Sequence, residues 1–416
     1  MLCRTSCAVA LAAAAFSVSA QDTTEELRQL RQRVEELEKK QRPQGQSAFN
    51  PDISLILQGT LARSSRDPQT YRIDGFAPSG GEVGPAPRGF GLGESELVVS
   101  SNIDPYLRGQ LVAALTSEDE VEVEEAFFQT LALGRGFALK GGRFLSGIGY
   151  QNEIHQHAWD FQDAPLAYKA FLGGRLNDDA VQLRWVAPTD LFVELGGELG
   201  RGRSFPGTDR NRNGGNLWTL FGRAGGDLSA STAWRAGLSY VQAKPEDRAF
   251  TEDDVTQSFS GRSKLWIADA VLKWAPDGNS SSRNFKLQAE YFRRQESGAL
   301  TYDDSAQAAP QFGTPFTVDY ASRQSGWYAQ AVYQFMPRWR AGYRYDRLSS
   351  GTVTDFGAPA ADHNPTRNTA MVDFSPSEFS RFRLQYALDR SRADATDHQL
   401  LLQYIHSLGA HGAHRF

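Results

Sequence analysis

The sequence predicts an all-β chain: a transmembrane antiparallel β-barrel of about 16 strands with a short N-terminal helical coiled-coil segment. Three observations carry this expectation. The 416 residues include 39 Gly, 25 Phe, 14 Tyr and 8 Trp, yet mean hydropathy is −0.47, and short segments alternate apolar with polar residues. The connections between those segments sort by parity, short after even-numbered strands and mostly long after odd-numbered ones, as in barrels with short periplasmic turns and longer outer loops. Beyond the first twenty residues no apolar run approaches the roughly 18 residues that a membrane helix requires. Crossing must therefore fall to strands.

Residues 1–20 read as a signal peptide: Arg4 is the charged start, Ala8 to Phe16 the apolar stretch, and Val18-Ser19-Ala20 the small-residue cleavage site. The mature chain is then expected to begin at Gln21. Cys3 and Cys7 both lie in the leader, so the exported chain should have no disulfide, cysteine nucleophile or cysteine metal site.

Residues 21–42 read as a periplasmic coiled-coil helix. Leu27, Leu30, Val34 and Leu37 recur at heptad spacing, and Thr23 with Glu26 supplies a capping box. Two heptads are marginal alone in water, which points to association with copies of itself. Residues 43–51 follow as a linker, opening on PQGQS.

Residues 52–416 are read as the barrel. Candidate strands begin near Ile53, Leu92, Tyr106, Val121, Phe137, Ala180, Leu191, Leu217, Ala233, Lys264, Phe285, Trp327, Trp339, Thr369, Glu378 and His398. Turns such as SNIDP, LGRG, APTD, MPR and SPSE follow the even strands. Long loops over 64–89, 146–174, 201–215, 244–261, 297–325 and 349–368 follow odd ones.

The strand faces give the lumen. In the thirteenth strand Trp339, Ala341, Tyr343 and Tyr345 share one side, with Arg338, Arg340, Arg344 and Asp346 on the other. The fifteenth opposes Phe382, Leu384, Tyr386 and Leu388 to Arg381, Arg383, Gln385 and Asp389, and the sixth opposes Val181, Leu183 and Trp185 to Gln182 and Arg184. Charge is costly against hydrocarbon, so Arg184, Arg338, Arg340, Arg344, Arg381 and Arg383 are expected to line the pore.

Loop 146–174 should fold inward and narrow the channel. Ile148, Ile154, Trp159, Phe161, Leu166 and Phe171 are too many apolar residues for a solvated loop, which leaves Glu153, Asp160, Asp163 and Lys169 to face the water path. His155 and His157, beside Glu153, are candidate zinc ligands; bracing the loop by hydrogen bonds is the plainer role. No other cofactor is implied.

The final strand carries Leu400, Leu402, Tyr404 and Leu408 on one face and ends on Phe416, which resembles the assembly signal of outer-membrane proteins. Leader, short heptad helix and about sixteen strands together resemble the phosphate-selective porin family. That resemblance implies a trimer of sixteen-stranded barrels, each with its own water-filled pore. Charge departs from the family's selectivity. The chain holds 49 acidic against 44 basic side chains, and only six lysines follow residue 42. NEIHQHAWDF and GAHGAH also resemble barrels labelled zinc-regulated or TonB-dependent receptors.

The function implied is that of an outer-membrane porin passing small hydrophilic solutes or ions by diffusion. The alternative is zinc-linked uptake by an atypical receptor-like barrel using the loop histidines. An enzyme needs a nucleophile within reach of a base, and the adjacent His406 and Ser407 point to opposite faces of a strand. The expected partners are outer-membrane lipid, small solutes or ions and further copies of the chain as a trimer, with no nucleic acid. The expected location is the cell outer membrane.

Overall fold

Period-two alternation places every second side chain on one face, so a sheet that closes on itself has an inside and an outside. In the computed structural model, which describes residues 51–77, 83–115, 120–252, 254–354 and 363–409, the chain closes in this way. The expected signal peptide (1–20), coiled-coil helix (21–42) and linker (43–51, up to residue 50) and the terminal Phe416 fall outside the described residues.

Sixteen staves form the wall: β1 (Asp52–Ser64), β2 (Gly89–Leu92 continued by Ser95–Asn102), β3 (Leu107–Leu115), β4 (Val121–Thr130), β5 (Phe137–Leu145), β6 (Asn177–Val186), β7 (Phe192–Gly200), β8 (Leu217–Ser229), β9 (Thr232–Ala243), β10 (Val255–Trp274), β11 (Asn284–Asp303), β12 (Phe316–Met336), β13 (Trp339–Thr354), β14 (Thr366–Ser377), β15 (Ser380–Arg390) and β16 (Asp397–Gly409). Each pairs antiparallel with the next, and β1 pairs with β16 through partners such as Leu61 and Leu402, which removes both sheet edges. A short strand, Arg248–Glu252, adds to the loop before β10 and pairs with it.

The two faces differ as lipid and water require. Val181, Leu183, Leu195, Leu220, Leu238, Tyr343, Leu384 and Leu402 point outward and are exposed, while Gln182, Glu198, Arg223, Arg344 and Arg383 point inward and are buried. Among the described residues no helix is long and apolar enough to cross a membrane.

Two expectations about loops are corrected. Residues expected as loops over 244–261 and 297–325 are largely strand, since β10, β11 and β12 run 20, 20 and 21 residues. About ten residues cross a bilayer, so these staves project beyond it. There the outward face can be polar, as at Ser258, Ser260 and Ser297 beside the inward Phe259 and Glu296, and the apolar alternation that marks a lipid-facing strand is missing.

The register shifts at several places in the wall, and two β-bulges, on β2 and β4, bear on the loop. Gly59 pairs with Leu92 and Ile56 with Glu96, so Leu57 and Gln58 oppose three residues, Gly93 to Ser95. On β4, Val112 pairs with Glu125 but Ala113 with Val123, which leaves Glu124 as the extra residue. Bulges re-aim side chains, and these turn Glu94, Glu96, Glu124 and Glu125 all away from lipid.

The segment between β5 and β6, residues 146–176, lies among the inward side chains. Its helix α1 (Leu166–Leu172) follows Pro165, stops at Gly173 in the left-handed region (φ 65°), and has all seven residues buried. Phe171 stacks on Phe292 of β11 at 6.0 Å and meets Phe76 of the first loop edge-on at 5.6 Å, while Tyr168 meets Phe292 at 5.0 Å. Ile148, Trp159, Leu166 and Phe171 join one buried cluster with Leu265, Ile267, Tyr328 and Leu348 of the wall.

Candidate functional site

A loop inside a barrel must satisfy its backbone polar groups without sheet partners. Inward charges of the wall meet that need. Glu198 of β7 accepts from Gly147 N at 2.8 Å, Glu290 of β11 accepts from Tyr150 N and Gln151 N at 3.1 Å each, and Asp346 of β13 accepts from Leu166 N at 2.9 Å. Arginines take the carbonyls: Arg235 of β9 donates to Gly149 O at 3.0 Å, Arg344 to Asp163 O and Arg383 to Trp159 O at 2.8 Å each. The side chain of Asn152 ties the loop's own ends, donating to Ser146 O at 2.8 Å and accepting from Leu176 N at 2.7 Å.

The loop's carboxylates find cations on the wall and, in Lys169, on the loop's own helix. Glu153 pairs with Arg184 and with Arg223 (2.7 Å), Asp160 with Lys286 and Arg340 (3.3 Å), and Asp163 with Lys169 (3.2 Å), Arg344 (3.1 Å) and Arg367. Burial works against each charge, but the partners outweigh it. Arg184 and Arg223 hold the Glu153 pKa down at about 2, while Arg367, Lys169 and Arg344 hold Asp163 well below the ordinary carboxylate value. Burial likewise lowers the Lys169 ammonium, against the attraction of Asp163.

Five of the six arginines expected in the pore point inward, though as ion-paired side chains rather than a free ladder. Arg340, Arg381 and Arg383 surround Asp373 of β14 at 2.5, 3.9 and 2.9 Å. Arg338 is the correction: β12 ends at Met336 and β13 begins at Trp339, so Arg338 sits exposed in the turn at φ 72°, where strand alternation does not reach. Asp160, Asp163 and Lys169 face the wall and are buried rather than lining open water. The anchors Glu198, Arg223, Glu290, Arg367 and Asp373 escaped sequence reading. Their inward parity was legible, but their pairing with one distant loop was not.

At the other end of the loop, His155 enters a ring of carboxylates. Its Nδ1 lies 3.0 Å from Glu124 and 3.3 Å from Glu96, and its Nε2 3.1 Å from Glu125. His157 Nδ1 meets the other Glu96 oxygen at 2.8 Å, with the two rings stacked at 5.8 Å, so the imidazoles do not converge on a common point. Burial opposes the charged imidazole, yet Glu124, Glu125 and Glu96 raise the His155 pKa well above its ordinary value. A cavity of about 470 Å³ adjoins this ring, lined by Ser54, Glu96, Arg108, Gln110, His155 and His157 among others, on the β1–β3 side.

Comparison with known proteins agrees with the barrel. No family model matches the sequence. The barrel superposes on the loop-L8 deletion form of OmpT, an outer membrane protein of Vibrio cholerae, with TM-score 0.54 at 11% identity, covering 87% of this chain and 100% of that one. The trimer form of OmpT gives 0.51 at 13% identity, covering 87% and 100%. An anion-selective porin from Comamonas acidovorans gives 0.50 at 9% identity, covering 86% and 99%. At such identities the likeness shows the fold, a closed sixteen-stranded outer-membrane barrel. In sequence, an uncharacterized protein of Aquifex aeolicus is 31% identical over 404 residues, spanning 90% of this chain and 81% of the relative. The chain belongs to one family with that Aquifex aeolicus protein.

Proposed function

We propose that the protein is a porin of the outer membrane, passing small hydrophilic solutes or ions by diffusion, with residues 146–176 as its constriction. The carrying observation is a closed barrel, apolar outside and charged inside, whose longest inward loop is fastened to the wall from β7 to β15. The solute path runs along β1 to β3, where the cavity separates loop from wall. On this reading the protein is a channel, not an enzyme. The leader 1–20 exports it, and residues 21–42 join copies as a trimer, an assembly that the trimer form of OmpT shows for a barrel of this fold. The acidic balance argues against phosphate as the preferred solute.

Planar-bilayer recording and liposome swelling with the refolded protein test the reading. Discrete conductance steps with uptake of small sugars are expected. A protein that folds and inserts yet gives neither current nor swelling is not a porin.

A further inference from the structure

Both β-bulges converge on one imidazole, although anchoring the loop does not require it. Consecutive strand residues normally face opposite sides, yet Glu124 and Glu125 both reach His155, and the bulge on β2 turns Glu96 to the same ring. His155 Nδ1, a Glu96 oxygen and a Glu124 oxygen all lie within 4.8 Å of one another. The two measured spacings, 3.0 and 3.3 Å, are close to the roughly 3.4 Å edge of a tetrahedron built on zinc–ligand bonds of about 2.1 Å. Glu96 has no exposed surface, and its Oε2 atom makes no hydrogen bond beyond the 3.3 Å ion-pair contact with His155.

The surroundings match those of a ligand set. The Nε2–H of His155 can donate to Glu125 at 3.1 Å, the carboxylate–histidine arrangement that orients an imidazole and frees its other nitrogen for a metal. Arg175 holds Glu94 at 3.1 Å and Glu124 at 2.5 Å, and His157 braces Glu96. The carboxylates of Glu94, Glu96, Glu124 and Glu125 outnumber the cations that meet them even when Arg175 is joined by a protonated His155, and a metal ion would take the place of the His155 proton. A buried excess of that sign is costly unless a cation offsets it. The adjoining cavity reaches Glu96, His155 and His157 and supplies a route in.

We propose that Glu96, Glu124 and His155 bind one divalent transition-metal ion of the zinc type, with Glu125 and His157 as positioning residues. The cavity leaves room for water as a fourth ligand. The ion joins the loop to β2 and β4, where Arg175 already ties the loop's far end to Glu94 and Glu124. The proposal stands apart from the channel reading, because its test measures binding and passes no current.

The test is calorimetric titration of zinc chloride into the full protein, folded in detergent and stripped with chelator. One zinc per chain is expected to bind saturably in the wild type. Glu96→Gln and Glu124→Gln should each lower affinity at least tenfold, and Glu125→Gln about tenfold or more. His155→Gln, close in size and still able to hydrogen-bond, should abolish this binding, while His398→Ala on the lipid face leaves it unchanged. Absence of saturable binding in the wild type, or affinity unaltered by Glu96→Gln and His155→Gln, overturns the proposal.

Discussion

Arg344 grips Asp163 twice, through the backbone carbonyl at 2.8 Å and the carboxylate at 3.1 Å, with both residues buried. One strand residue thereby fixes the middle of a loop that starts about twenty residues earlier on another part of the wall. Removing one member of a buried ionic cluster typically costs about 3–5 kcal/mol, because its partners stay buried and uncompensated. Asp163→Asn, which leaves Arg344, Arg367 and Lys169 facing a neutral amide, should release the loop by a cost of that order. Larger and noisier single-channel steps are expected, and wild-type conductance would refute the anchoring role.

Deleting Gln151 to Tyr168 removes the body of the constriction while keeping Ser146 and Leu176, whose backbone hydrogen bond of 2.9 Å closes the loop next to β5 and β6. Conductance should rise and ion selectivity weaken. An unaltered conductance would mean that the loop lies off the solute path.

Gly149 sits at φ 60°, with Glu290 and, 2.7 Å from any added Cβ, the Tyr168 hydroxyl closing around it. Gly149→Ala should weaken loop docking by about 1–3 kcal/mol through backbone strain and crowding. Protease cleavage within 146–176 is the measurement, with Gly59→Ala, which meets open space, as the control that should stay resistant.

The pKa of Asp163 is depressed well below the ordinary value, and that of Asp160 is lowered too, by Lys286 and Arg340 against burial. A depressed folded pKa gives stability that is complete above the unfolded value, about 3.9, and is lost as pH falls through the lower folded value. The contribution of these two groups to docking should therefore stay constant from pH 8 to 5 and fade below about pH 4. Acid-induced opening in the wild type that persists unchanged in an Asp160→Asn, Asp163→Asn double variant would assign it to other groups.

Leu402 faces outward near the middle of β16, beside the buried Gln403. Leu402→Arg should cost about 2–4 kcal/mol in a bilayer, read from urea unfolding in liposomes. Leu402→Phe should be nearly neutral.

Most of the wall was legible in the sequence because it depends on parity alone. The alternation through Trp339 to Asp346 sorts residues inward and outward without knowledge of any neighbour, and it failed only at Arg338, one step outside the strand. The lengths of β10 to β12 were hidden because their outer ends leave the bilayer and need no apolar face. The loop's apolar residues were visible, but not their partners, since Glu290 lies 139 residues from Gln151 and Arg344 lies 181 from Asp163. The acid ring around His155 was hidden for a different reason. It depends on two places where the period-two rule is broken, and no side chain announces a bulge.

The bulge after Gly93 makes the inward face of β2 depend on chain count rather than on side-chain identity. Beyond it Glu96 is buried in the lumen and Leu97 faces lipid. Removing one residue there, with every other kept, would exchange them, because a shift of one flips all that follows. The acidic ring can thus be created or erased by a single in-frame codon, a far shorter evolutionary step than substituting each of its members.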